Sequence, residues 1–142
     1  MKQRVLILCT ANSARSQMAE GLLRALAGDR FEVFSAGTRP SAVNPLAIAV
    51  MEERGHDIRP HRSKHLSEFL GQPFDYVITV CDSAAEACPA FPGRATRIHW
   101  SFPDPAAATG DAERLAAFRQ VRDAIDARLA AWLAELDAAP GA

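Results

Sequence analysis

The sequence predicts an α/β fold, a three-layer α/β/α sandwich around a central sheet of four parallel strands. Residues 5–8 form a short, apolar, β-branched-rich run without alternation, as expected for a strand covered on both faces. Further apolar runs alternate with amphipathic helical segments, an order that produces parallel sheets with right-handed crossovers. The 142 residues, 49% of them hydrophobic, correspond to one domain over residues 1–142.

The N-terminal half continues with a helix, a strand and a second helix. Apolar residues recur at three- and four-residue spacing over residues 16–27, which predicts the first helix. Residues 31–35 form the second strand. Asn44 is a favourable N-cap and Pro45 a favourable first-turn residue for the second helix, which stops at Gly55.

The C-terminal half supplies two more strands and the longest helix. The third strand is predicted at residues 74–80, and a weaker pattern predicts the fourth at residues 95–100. The last helix carries one continuous apolar stripe of Leu115, Phe118, Val121, Ile125, Leu129, Trp132 and Leu136. Trp132 and Trp100 are both interpreted as structural. Because ligands bind at the carboxyl ends of parallel strands, the loops after Leu8, Val80 and Trp100 deserve inspection.

Composition excludes some classes of partner. The net charge of −1, from 16 basic and 17 acidic residues, gives no basis for a nucleic-acid or membrane partner. No apolar run is long enough for a signal peptide or a bilayer span, so a cytoplasmic location is expected. In that reducing compartment, Cys9, Cys81 and Cys88 indicate reactive or buried thiols. Nothing in the sequence requires a metal ion, a cofactor or an oligomer, so we expect a monomer without either group.

The segment from Cys9 to Ser16 joins the first strand to the first helix with the pattern C-x5-R-S. A tight turn there aims backbone N–H groups at a tetrahedral anion beside a helix N-terminus, and Arg15 adds a fork that matches two anion oxygens. The same field favours a thiolate at Cys9, and the Ser16 hydroxyl is placed to donate to that sulfur. The predicted oxyanion-binding loop comprises Thr10, Ala11, Asn12, Ser13, Ala14 and Arg15.

The alternative for an isolated C-x5-R pattern is a buried cysteine and an unrelated surface arginine. Here the preceding strand and the following helix supply the context that the motif needs. Cys81 follows the third strand and starts at the same sheet edge, so its thiol could attack the Cys9 sulfur. The spacing from Cys81 to Cys88 fits neither a zinc site nor a thioredoxin-type C-x-x-C motif.

The C-x5-R-S loop and the late Asp104-Pro105 pair resemble those of the low-molecular-weight protein tyrosine phosphatase fold family. That resemblance covers essentially the whole chain and implies the family's fold. It also implies that Asp104 is the general acid, which protonates the departing oxygen. Asp-Pro alone is a common turn dipeptide, and its position after the fourth strand is what makes the match specific.

With Cys81 and with Cys88-Pro89 seven residues later, the chain resembles the thioredoxin-coupled arsenate reductases within that family. The resemblance implies arsenate as substrate, with phosphate and sulfate as competing oxyanions, and thioredoxin as partner. It implies catalytic roles for Cys9, Arg15, Ser16, Cys81, Cys88 and Asp104. A Cys9–Cys81 disulfide would be the intermediate and a Cys81–Cys88 disulfide the oxidised end state.

Two other functions share parts of this pattern. A tyrosine phosphatase would use the same loop and acid, but the phosphatases carry tyrosines after the Asp-Pro pair, where this chain has Ala106-Ala107-Ala108. Weak phosphatase activity is expected at most. A non-enzymatic oxyanion or redox sensor would need the loop but not Asp104.

The chain departs from the family pattern at two places. Ala14 replaces a loop cysteine that many members carry, so a disulfide within the loop cannot form. Some of the reductases bind a monovalent cation near residues that match Asn12, Glu20 and Ser35, with an aspartate shortly after the histidine that matches His61. Here Lys64 stands in that place, which predicts little potassium dependence. For His61 and His65, a solvated turn is favoured over half of a metal site.

Overall fold

The computed structural model describes residues 2–82 and 90–138. These residues form four strands, three α-helices and two short 3-10 helices. In chain order they are β1 (Gln3–Leu8), α1 (Arg15–Ala27), β2 (Phe31–Ala36), α2 (Pro45–Glu52), a 3-10 helix at Leu66–Phe69, β3 (Tyr76–Thr79), β4 (Thr96–His99), a 3-10 helix at Pro105–Ala107, and α3 (Asp111–Ala138).

All four strands are parallel and lie in the order β2-β1-β3-β4, which confirms the predicted sheet. The chain leaves β1 toward β2 on one side and then crosses to β3 on the other. At such a switch point the loops diverge and leave a crevice at the carboxyl edge of the sheet. The segments that follow Leu8, Thr79 and His99 start from this edge.

Both faces of the sheet are covered, but by different elements. Residues of α1, α2 and α3 share one apolar cluster with Val5, Ile7 and Ile78, and both Cys9 and Cys81 belong to it. The opposite face is covered by a second cluster whose buried members are Leu6, Leu8, Ala36, Phe69, Val77 and Phe91. Within residues 2–82 and 90–138, no helix is both long and apolar enough to cross a membrane.

The third and fourth strands are shorter than the sequence predicts. Phe74, at the predicted start of the third strand, lies outside the ladder. Its ring instead meets the rings of Phe34 and Phe91 edge-on, with centroids at 5.9 and 5.7 Å. The apolar character that suggested a strand residue therefore serves aromatic packing on the second face.

Helix α3 connects the core to the segment after β4. The buried ring of Trp132 stacks on Phe31 at 5.6 Å and meets Trp100 edge-on at 5.9 Å. The guanidinium of Arg128 lies 5.1 Å from the centroid of the Trp100 ring. Because Trp100 directly follows β4, these contacts fix the start of the segment that carries Asp104. The structural interpretation of both tryptophans is confirmed by their burial.

Candidate active site

Cys9 lies directly after β1, where its main-chain N–H still donates to the carbonyl of Ala36 at 3.2 Å. Its side chain is almost fully buried. Helix α1 begins at Arg15, so the loop between them starts at a strand end and finishes at a helix N-terminus. This confirms the strand–loop–helix context that the sequence predicts for the motif.

Each of the five carbonyl groups of residues 10–14 points away from the centre of the loop and accepts a hydrogen bond from a residue outside the loop. Their donors, in order along the loop, are the main-chain N–H of Arg39, Ser63 Oγ, Gln17 Nε2 and the main-chain N–H groups of Asn44 and Met18, at 2.8 to 3.1 Å. The C=O and N–H of a trans peptide unit point in opposite directions. Outward carbonyls therefore turn the following N–H groups inward, which makes a concave site for an anion.

Asn12 is the residue where the loop backbone reverses. Its φ of 49° lies in the left-handed region, which asparagine tolerates better than most residues. Its side chain is fully buried and accepts hydrogen bonds at Oδ1 from Gln17 Nε2 at 3.0 Å and from the main-chain N–H of Lys64 at 2.9 Å. These bonds offset the cost of the unusual conformation.

Gly37 allows the end of β2 to approach the loop closely. A Cβ atom at this position would lie 2.6 Å from the carbonyl oxygen of Cys9 and closer still to that of Thr10. Both contacts are with backbone atoms, which cannot move aside as a flexible side chain can. The lack of space for a Cβ atom is therefore enough to require glycine at this position.

A cavity of about 180 Å³ opens over the loop. It is lined by Cys9, Thr10, Ala11, Ser13, Ala14, Arg15, Asp104 and Ala106. Arg15 is 4% exposed, and its Nη1 donates to the carbonyl of Phe102 at 3.0 Å. Asp104 Oδ1 accepts from the main-chain N–H of Ala106 at 3.0 Å. The structure thus brings the loop, Arg15 and Asp104 to one cavity, and the Arg15 guanidinium joins the two segments.

A polar network lies beneath the loop. Asn12 Nδ2 donates to Ser35 Oγ at 3.0 Å, and Ser35 Oγ donates to Glu20 Oε1 at 2.5 Å. The buried Glu20 carboxylate pairs with Arg24 at 2.9 Å, and Lys64 Nζ lies 4.0 Å from its other oxygen. Burial lowers the pKa of Lys64, while Glu20 acts in the opposite direction. Asn12, Glu20 and Ser35 therefore do lie together, with the Lys64 ammonium beside them.

Of the other two cysteines, the structure describes Cys81 only. Cys81 is fully buried and disulfide-bonded. Cys88 and its neighbours from residue 83 to 89 lie outside the described residues. Among the residues that are described, no group of three or more His, Cys, Asp and Glu side chains could hold a metal ion.

Comparison with known proteins decides the family. Residues 4–140 match the low molecular weight phosphotyrosine protein phosphatase family. An arsenate reductase from Halalkalibacterium halodurans is 46% identical over 129 residues, which cover 90% of this chain and 93% of that protein. The chain belongs to this family, in its arsenate reductase group.

Solved arsenate reductases have the same fold. One, described as an arsenate reductase in the phosphate binding state, gives a TM-score of 0.80 at 33% identity and covers 94% of this chain and 98% of its own. A thioredoxin-dependent arsenate reductase from Corynebacterium glutamicum gives a TM-score of 0.73 at 28% identity, covering 96% of this chain and 62% of its own. The predicted phosphatase-like fold is therefore confirmed.

Three residues outside the predicted loop of this arsenate reductase homologue support it. Gln17 and Ser63 donate hydrogen bonds to the loop directly, and His61 contacts Gln17. The expectation of a solvated turn at His61 is wrong, because the ring is half-buried and its Nδ1 lies 3.0 Å from Gln17 Oε1. Only the position of Gln17, directly after the motif, offers a sequence signal. Ser63 reaches the loop, and His61 reaches Gln17, from a segment without periodicity.

Proposed function

We propose that this protein reduces arsenate to arsenite through a three-cysteine relay, with electrons from thioredoxin, and so serves arsenic detoxification. The observation that carries the proposal is the position of Cys9 in a cavity that is also lined by Arg15, Asp104 and the loop residues. That set combines a nucleophile, an oxyanion site and an acid. The names of the relatives point to the same substrate.

The first chemical step would take place in the cavity. The Cys9 thiolate attacks arsenic, while Arg15 and the loop N–H groups hold the remaining oxygens. Asp104 protonates the departing hydroxyl, which leaves as water, and a Cys9–arsenic bond results. Ser16 is proposed to donate a hydrogen bond that stabilises the Cys9 thiolate.

The next steps transfer two electrons to arsenic. The Cys81 thiolate attacks the Cys9 sulfur, the sulfur–arsenic bond breaks, and its electron pair stays on arsenic, which leaves as arsenite. Cys88 then attacks Cys81 and releases Cys9 as a thiolate. Thioredoxin finally reduces the Cys81–Cys88 disulfide. After the relay Cys81 is expected in a disulfide, and it is disulfide-bonded in the structure.

A weak phosphatase activity is the second candidate, because Cys9, Arg15 and Asp104 also suit phosphate transfer. The side chains that line the cavity favour a small inorganic substrate over an aryl phosphate. Among the described residues, the side chains that line the cavity include no aromatic ring, and Ala106 occupies the wall beside Asp104. An aryl phosphate would lose the stacking that an aromatic wall gives.

The relay is tested by following arsenate-dependent NADPH oxidation with thioredoxin and thioredoxin reductase. The variant Cys88→Ser is expected to release arsenite once, in stoichiometric amount, and then stop as a Cys9–Cys81 disulfide. Dithiothreitol, which reduces that disulfide directly, should restore turnover and serves as the control. Steady-state turnover with thioredoxin that Cys88→Ser leaves unaffected would exclude the relay.

Potassium is expected to have little effect on this activity. The Lys64 ammonium, 4.0 Å from Glu20 Oε1, already places a positive charge beside the carboxylate that a cation would otherwise neutralise. Replacing potassium chloride with tetramethylammonium chloride at constant ionic strength should leave kcat/KM for arsenate unchanged. A several-fold stimulation by potassium would contradict the role of Lys64.

A further inference from the structure

We propose that Arg114, in the first turn of α3, is a positioning residue for Asp104. It acts by holding the far end of the short 3-10 helix that Asp104 begins. The inference rests on the proposed function in taking Asp104 as the acid that protonates the departing oxygen. It adds to that function a residue that does not line the cavity and acts on the acid alone.

The acid lies on the segment that joins β4 to α3. At the start of this segment, the main-chain N–H of Trp100 donates to the carbonyl of Thr79 at 2.9 Å. At its end, the main-chain N–H of Arg114 donates to the carbonyl of Gly110 at 3.0 Å. Between the two ends lies the 3-10 helix at Pro105–Ala107, three residues long. A helix this short has few hydrogen bonds of its own, so its orientation depends on what holds the residues beside it.

The direction of the Asp104 side chain is coupled to this 3-10 helix. Asp104 is the N-cap, and its Oδ1 accepts from the main-chain N–H of Ala106 at 3.0 Å. Its carbonyl accepts from the main-chain N–H of Ala107 at 3.2 Å. Pro105 has a fixed φ and restricts the residue before it to extended conformations, in agreement with the Asp104 φ of −74° and ψ of 111°. The acid and the 3-10 helix therefore move as one unit.

Two arginines anchor this unit, one on each side. Before Asp104, Arg15 Nη1 donates to the carbonyl of Phe102 at 3.0 Å. Directly after the 3-10 helix, Arg114 Nε donates to the carbonyl of Ala108 at 3.2 Å. In the proposed function Arg15 also binds the anion, whereas Arg114 does not line the cavity. Loss of the Arg114 side chain would therefore loosen the acid without removing a contact to the oxyanion.

The stability of α3 does not explain an arginine at this place. The dipole of a helix disfavours positive charge in the first turn, where α3 also carries the acidic residues Asp111 and Glu113. The ion pair between Arg114 and Asp111 spans 3.4 Å, and because the Asp111 side chain is fully exposed the pair contributes little. What Arg114 supplies is the part-buried hydrogen bond to Ala108.

The test compares two uncharged variants of Arg114 in the thioredoxin-coupled assay. Arg114→Gln keeps an N–H donor at the place of Nε, whereas Arg114→Met puts a methyl group there. The methionine variant should lower kcat/KM for arsenate about fivefold, the effect of losing one hydrogen bond that aligns a catalytic group. Inhibition by phosphate should be unchanged, and Arg114→Gln should recover most of the parent activity. Arg54→Met, which removes an exposed arginine paired with Asp123, is the charge-matched control and should change nothing.

A double-mutant cycle with Asp104→Asn separates positioning from a general structural effect. Asp104→Asn alone is expected to lower kcat/KM about a hundredfold or more, as for loss of a general acid. In that background Arg114→Met should have no further effect, because no acid is left to position. Thermal melting checks that each variant folds. Should Arg114→Met not fold, Arg114→Leu, which also lacks a donor, replaces it with the same expected results.

Equal losses in Arg114→Gln and Arg114→Met would overturn the proposal, since charge and not the hydrogen bond would then matter. Losses of Arg114→Met and Asp104→Asn that add would overturn it as well. A loss in Asp104→Asn without one in Arg114→Met would defeat this inference alone and leave the proposed function standing. Full activity in Asp104→Asn would instead remove the acid step from the proposed function, and this inference with it.

Discussion

Arg15→Lys is expected to lower kcat/KM for arsenate by two to three orders of magnitude, roughly the effect of removing a donor from an oxyanion site. The guanidinium has two tasks. In the proposed function it presents paired N–H groups to the anion, and in the structure its Nη1 donates to the carbonyl of Phe102. Lysine carries the same charge but is a point donor that cannot match two oxygens in a plane. It also lacks the second arm that ties the Asp104 segment to the loop.

The measurement is the thioredoxin-coupled assay over a range of arsenate concentrations, together with competition by phosphate. Arg59→Lys is the matched control, since Arg59 is exposed and pairs with Asp57 at 2.9 Å away from the cavity. This control should keep its full activity. An Arg15→Lys enzyme with kcat/KM close to that of the parent would show that charge alone suffices at this position.

Gly37→Ala is expected to damage both the fold and the site. The new methyl group would meet the carbonyl oxygens of Thr10 and Cys9, and overpacking against atoms that cannot move aside costs about 3 kcal/mol. Such a loss corresponds to a fall in Tm of roughly 10 °C for a domain of this size. Any protein that still folds must push the loop away, so binding of oxyanions should be lost with it. Thermal melting with and without phosphate measures both effects.

Gly55→Ala separates backbone strain from steric conflict. Gly55 has a φ of 78°, but a Cβ there would meet nothing within 4 Å. Its replacement should cost about 1 kcal/mol through the left-handed conformation, and catalysis should be unaffected. Equal losses of activity in the two alanine variants would contradict the proposed close approach at Gly37.

The parts of the site that are local in the chain were predictable from the sequence. Cys9 and Arg15 lie within one strand–loop–helix unit, whose apolar run, small residues and helical period can all be read directly. Asp104 needed the resemblance to the family as well. Its alignment with the loop depends on Trp100 and on contacts with α3, which no single segment reveals.

The supports of the loop were not predictable, for a physical reason. Ser63 reaches the loop from 52 residues away, and His61 reaches Gln17 from 44 residues away, both in a segment without periodicity. A hydrogen bond from a buried side chain leaves no pattern in hydropathy, because one polar residue on an apolar face looks like an ordinary surface position. Phe74 shows the converse error, since its apolar character predicts a strand residue where the structure uses an aromatic contact.

The hydrogen bonds to the carbonyl groups of residues 10–14 also determine whether the motif would keep its shape in another protein. Their donors come from Arg39 after β2, from the N-cap of α2, from α1 and from the segment that contains Ser63. The octapeptide from Cys9 to Ser16, grafted onto another protein between a strand and a helix, would bring the nucleophile and the arginine but not the shape. Most of the contacts that give this loop the shape proposed to bind an anion therefore come from residues outside the motif by which it is recognised.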